Sequence, residues 1–76
     1  MPNLDAMKQE LLRTSDDYRR LFEEHQECEE RLTQLVHKSL PSQEDEAEEK
    51  RLKIHKLALK DQMEAILREH RTALSA

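Results

Sequence analysis

The chain has 76 residues, 39% of them charged and 36% hydrophobic, with a formal net charge of −4 and no Gly or Trp. That length allows one domain, residues 1–76, near the size at which a single core is marginal. Without Gly the usual residue for positive-φ turns is missing, and most β-hairpin chemistry goes with it. The abundance of Glu, Lys, Arg, Leu, Gln and Ala points instead to long amphipathic helices. Disorder is the competing fate of so charged a chain, but Leu, Ile and Met recur at helical spacing through most of its length.

The expected fold class is all-α: an antiparallel two-helix hairpin with coiled-coil-like packing that self-associates. The first arm covers about 3–38, the turn about 39–43 and the second arm about 43–74. Along the first arm Leu4, Met7, Leu11, Tyr18, Leu21, His25, Cys28, Leu32 and Leu35 follow one another in steps of three and four, missing a beat only at Thr14. Such a stripe is the seam of a helix that packs on a partner along its length. Thr14-Ser15-Asp16-Asp17 also reads as an N-cap with an acidic first turn, so a new helix could start there. The seam keeps its phase across Thr14, which favours one long helix bent at that point over a short helix followed by a long one.

The turn is set by Pro41, which lacks an N–H and biases Leu40 away from helical geometry. His37 and Lys38 suit the negative end of the first helix. Ser42, with Asp45 three residues on, suits the start of the next. So short a connection sends the second arm back antiparallel. There Leu52, Leu59, Met63, Ile66, Leu67, His70 and Leu74 share one broad face. Ala47, Ile54, Ala58 and Ala65 form a second stripe near the opposite face, with Leu57 between. Folding about Pro41 sets Leu32 near Leu52, His25 near Leu59, Leu21 near Met63 and Tyr18 near Ile66. It also sets Glu24, Glu27 and Glu30 beside Lys53, Lys56 and Lys60.

Charge is unevenly spread. Acidic groups outnumber basic ones over residues 1–38, Glu44, Asp45, Glu46, Glu48 and Glu49 make the turn strongly acidic, and residues 50–76 are basic. Oppositely charged arms in one chain are expected to face each other. The single Cys28 cannot form an internal disulfide and fits a reducing compartment. Residues 1–12 are too polar for a signal peptide, and no apolar run approaches the roughly 18 residues of a membrane span. The expected location is the cytoplasm.

Tyr18-Arg19-Arg20-Leu21-Phe22, His25, Cys28 and Arg31-Leu32 on the first arm precede Glu49-Lys50-Arg51-Leu52 on the second. Lys56-Leu57-Ala58-Leu59-Lys60-Asp61-Gln62-Met63 and Ile66-Leu67 follow. Over about residues 15–70 this order resembles the YdcH-like small bacterial proteins. Two departures stand out: Cys28-Glu29 occupies the place of a usual Leu-Asp pair, and the turn from Lys38 to Glu49 is longer and more acidic. The resemblance implies a bacterial cytoplasmic helical hairpin and carries no assigned activity.

No chemistry-bearing constellation emerges. His25, His37, His55 and His70 lack the close spacing of metal ligands, and one Cys cannot complete a set; His25 and His70 are expected in the seam, each bonded to a carboxylate across the hairpin. Cys28, flanked by Glu27, Glu29 and Glu30, reads as a small inert seam residue. A two-helix hairpin has no pocket in which to tune a carboxylate or histidine, and without Gly it has no phosphate loop or nucleophile elbow. The chain is expected to be no enzyme and to bind no cofactor, metal or small-molecule substrate.

Two roles follow. The first is a protein-interaction module whose partner is a second copy or another helical protein. It would dock through Ile54, Ala58 and Ala65, or through the open side of the seam formed by Tyr18, Leu21, His25, Cys28, Leu32, Leu35, Leu52, Leu59, Met63 and Ile66. The alternative is a small nucleic-acid-associated regulator using Lys50, Arg51, Lys53, Lys56 and Lys60. Net negative charge and the lack of aromatics in that cluster argue against it, and cross-hairpin pairing accounts for the lysines.

Overall fold

The computed structural model describes residues 4–75. Helix α1 spans Leu4–Thr14, α2 spans Asp16–Val36 and α3 spans Gln43–Ser75, with no strand among the described residues. The expected start of the first arm at residue 3 lies outside the described residues, as does the side chain of Leu74. The all-α class holds, but the hairpin has three helices rather than two.

The first arm is broken at Ser15, which corrects the preference for one long bent helix. Ser15 is extended, at φ −112° and ψ 113°, and caps α2. In an unbroken helix the Tyr18 N–H would bond the carbonyl of Thr14; here it donates to Ser15 Oγ at 3.1 Å. The Thr14 hydroxyl turns back to the Glu10 carbonyl at 2.9 Å. Asp16 and Asp17 then sit at the positive end of α2, each bound by an arginine one turn on, Arg19 and Arg20 respectively. A side-chain cap and an acidic first turn thus start a new helix where the sequence has its weakest apolar position.

The seam nevertheless continues across the break. Leu11 before it and Tyr18 after it are both buried, and with Met7 and Leu67 they form a core cluster joined by Leu12, Met63 and Ile66. An in-phase seam means that the chain stays on its partner helix. It does not require the backbone to remain helical throughout.

At the other end α2 closes with the His37 N–H on the Thr33 carbonyl at 3.2 Å and the Lys38 N–H on the Leu35 carbonyl at 3.3 Å. The capping box expected at the start of α3 is formed. The Asp45 N–H donates to Ser42 Oγ at 3.1 Å, and the Ser42 N–H donates to the Asp45 carboxylate at 3.0 Å.

Helix α3 packs along α2, and α1 touches both. The molecule is a rod of 52 × 21 × 16 Å, close to the roughly 50 Å that the 33 residues of α3 span at 1.5 Å per residue. Lys38 meets Asp45, Arg31 meets Glu48, Glu29 meets Lys56, Glu24 meets His55 and Glu10 meets His70. As numbers fall along α2 and α1 they rise along α3, so both lie antiparallel to α3, close to the predicted register.

Candidate functional site

The expected seam residues are all shielded from solvent, to different depths. Tyr18, Cys28, Leu35 and Leu59 are buried, whereas Leu21, His25, Leu32, Leu52, Met63 and Ile66 are half-buried. Met7, Leu11 and Leu67 are also buried and complete the core at the α1 end. No polar or charged residue is buried among those described, so the seam is an apolar strip open at both edges.

The charges across the seam pair differently from the expected set. Lys56 meets Glu29 at 3.1 Å, Lys53 turns along its own helix to Glu49 at 2.9 Å, and Glu24 lies 4.0 Å from His55. Glu27, Glu30 and Lys60 have no ion-pair partner among the described residues. The most fully formed cross-hairpin contact is one the sequence did not single out. Arg31 donates through Nε and Nη2 to the two carboxylate oxygens of Glu48, at 2.6 and 3.0 Å. The Arg31 hydrogen bond holds the Glu48 carboxyl below the usual carboxylate range, and Glu48 in turn raises the guanidinium. The i, i+17 spacing offers no local sequence signal for such a pair; only the fold-back register reveals it.

At the turn, the Asp45 carboxyl is lowered to about 2, first by the Ser42 N–H and then by Lys38 Nζ at 3.0 Å. The expected histidine contacts form only in part. His70 Nε2 lies 3.5 Å from Glu10 on α1, but the geometry makes no hydrogen bond, and this buried nitrogen has no hydrogen-bond partner. His25 lies 4.0 Å from Glu29 on its own helix, so its nearest carboxylate is not across the hairpin. Among the described residues no group of three His, Cys, Asp or Glu side chains could hold a metal ion. Burial, then Glu24 and Glu27, push the Cys28 thiol up, against a smaller opposing pull from Lys56. That is the reverse of what a reactive thiolate needs.

Besides the exposed Val36 and Leu40 at the turn, two apolar surfaces remain. One is the outer face of α3, where Ile54 is 72% and Leu57 60% exposed, with Ala47, Ala58 and Ala65 exposed as well. The other is a groove along one edge of the seam. Its larger part, of about 450 Å³, has apolar walls from Leu12, Tyr18, Phe22, Met63 and Leu67 and carries both charges, with Lys8, Lys56 and Lys60 beside Glu29 and Glu64. Glu29 and Lys56 also line a second depression, which reaches Leu32 and Val36 near the turn. The groove exists because α1, on the N-terminal side of the Ser15 break, stays against α3, so that Lys8 and Leu12 line it together with Lys60 and Met63. No helix among the described residues is long and apolar enough to cross a membrane.

Comparison with curated proteins and with solved structures returns no match. A family model described as "Protein of unknown function (DUF465)" matches residues 19–67, from the first turn of α2 through most of α3, and leaves α1 outside. With more than half of its length matched, the chain belongs to that family.

Proposed function

We propose that this protein is a non-enzymatic helical interaction module that works through apolar helix faces, in the cytoplasm of a bacterial cell. The observation that carries the reading is the outer face of α3, where Ile54 and Leu57 stand largely exposed on a helix whose opposite face, through Leu59 and Leu67, is already in the core. Ala58 and Ala65 flank them on the exposed side, and small side chains let a second helix approach closely. A helical hairpin with apolar residues on both sides of one helix has surface suited to a further helix. The YdcH-like resemblance belongs to the same reading, since its residues fall almost entirely within the matched segment 19–67.

The Lys50–Lys60 surface supports a nucleic-acid role less well. Lys53 and Lys56 are held by Glu49 and Glu29, so phosphate would compete with carboxylates already in place.

The test is the double variant Ala58→Glu/Ala65→Glu, compared with the parent chain by circular dichroism, light scattering and affinity capture from a bacterial extract. Unchanged helicity with loss of an assembly or of a captured protein supports the reading. If the parent neither self-associates nor retains any protein that depends on an apolar face, the reading fails.

A further inference from the structure

We infer that the outer face of α3 is covered by the same face of a second copy, the two helices antiparallel, with Ile54 of each chain against Ala58 of the other. The inference rests on the interaction reading and deepens it by naming the partner. From Glu44 to Arg68 the outer face of α3 repeats in alternating steps of three and four, the spacing of a coiled-coil seam. Its apolar positions are Ala47, Ile54, Ala58 and Ala65, and its charged ones are Glu44, Arg51, Asp61 and Arg68. All are exposed, and none of these charged groups has an ion-pair partner among the described residues.

The order of these residues is its own complement when reversed. Counted outward from the middle of the stripe, Ile54 answers Ala58, Arg51 answers Asp61, Ala47 answers Ala65 and Glu44 answers Arg68. In an antiparallel pair with its two-fold axis at that midpoint, every layer is therefore apolar on apolar or acid on base, and each layer occurs twice. A parallel pair would set Arg51, Asp61 and Arg68 each against itself. Sliding the copy by one heptad sets Asp61 against Glu44 in one direction and Arg51 against Arg68 in the other. Like charges face each other in all of these alternatives, which selects against them. A partner other than a second copy would give no reason for the symmetry.

The charges along the two edges of the stripe fit the same register. On one edge Leu57 meets its counterpart, and Lys50 meets Glu64 of the second copy. Lys50 and Glu64 are exposed and have no ion-pair partner among the described residues, although Glu64 also borders the seam groove. Glu46 on that edge adds a second carboxylate near Arg68, and Lys53, further round, is held by Glu49. On the other edge Glu48 is held by Arg31. His55 there meets its counterpart, each with Glu24 of its own chain at 4.0 Å, and Glu69 falls opposite the uncharged Pro41 and Ser42. Exposed ion pairs of this kind add little energy and choose the register. The contact runs for roughly 36 Å of α3 at about 1.5 Å per residue. It covers Ile54 and Leu57, the exposed large apolar side chains of that helix, and leaves Leu59 and Leu67 in the core on the far side.

The experiment measures absolute mass by light scattering from micromolar to high-micromolar protein, with helicity followed in parallel. The parent chain is expected at twice its 9.1 kDa mass. Arg51→Asp sets acid against acid in both copies of its layer, and Asp61→Arg sets base against base, so each variant should be a helical monomer. Mixing the two should restore the double mass, because both layers then pair acid with base again. A chain carrying both reversals should dimerise by itself for the same reason. A parent that stays monomeric at high-micromolar concentration overturns the inference. So does a dimer that survives either single reversal, or single variants that remain monomeric when mixed. If a monomeric parent captures another protein and loses it in Ala58→Glu/Ala65→Glu, the inference also falls, while the interaction module stands with a different partner.

Discussion

Ser15 Oγ accepts the backbone N–H of Tyr18 at 3.1 Å, and this contact sets where the first arm divides. It replaces a main-chain bond at the point where α1 gives way to α2, while Tyr18 itself stays buried beside Leu11 and Leu67. Ser15→Ala removes the acceptor and should cost about 1 kcal/mol, as loss of an N-cap typically does. Ser15→Asp supplies another cap and should lose much less. Urea denaturation followed by circular dichroism separates the two. Equal stability of Ser15→Ala and the parent would mean that the cap contributes nothing.

Core truncation should be felt most where three helices meet. Leu67 is buried against Met7, Leu11 and Tyr18, so Leu67→Ala should destabilise by about 2–5 kcal/mol. It should also raise amide hydrogen exchange in α1 more than in the part of α2 nearest the turn. Val36→Ala removes a largely exposed side chain and should leave the stability of the single chain nearly unchanged. Similar losses for both would place the core elsewhere.

Strong acid should weaken the cap at the start of α3. The folded Asp45 carboxyl lies at about 2, below the roughly 3.9 of an unperturbed aspartate, so the ionised form favours the fold. Its contribution is complete above about pH 4 and disappears as pH falls through the folded value. An NMR titration of the Asp45 carboxyl should show a midpoint near 2. Lys38→Ala should raise that midpoint only part of the way, because the Ser42 N–H is the larger cause. A parent midpoint at the ordinary value would show that the capping box does not form in solution.

Local chemistry was legible from residue order where it acted over a few positions. Pro41, Ser42 and Asp45 announced the turn and the cap of α3, and both are found. The apolar spacing from Met7 to Leu35 announced which face of the first arm turns inward, and folding about Pro41 gave the approximate register. The same spacing misled at Thr14: periodicity records which side of the chain faces the core and is indifferent to one extended residue. Side-chain pairing was only partly legible. Long flexible lysines and glutamates have several neighbours within reach on a helix surface, and the choice of Glu29 by Lys56 or Glu49 by Lys53 depends on helix rotation and offset.

The sequence by itself determined the class of fold, the place of the turn and the antiparallel return of the second arm. Each follows from a strong local preference: helix-forming composition, a proline that ends a helix, and a connection too short to do anything but reverse. Only the tertiary structure decided that α1 remains against α3 after the break, that Arg31 reaches Glu48, and that Lys8 and Lys60 flank one groove. Those are relations between residues far apart in the chain. They depend on how three packed helices are turned and offset, and small rotations of a helix move a side chain from one neighbour to another with little change in the apolar pattern.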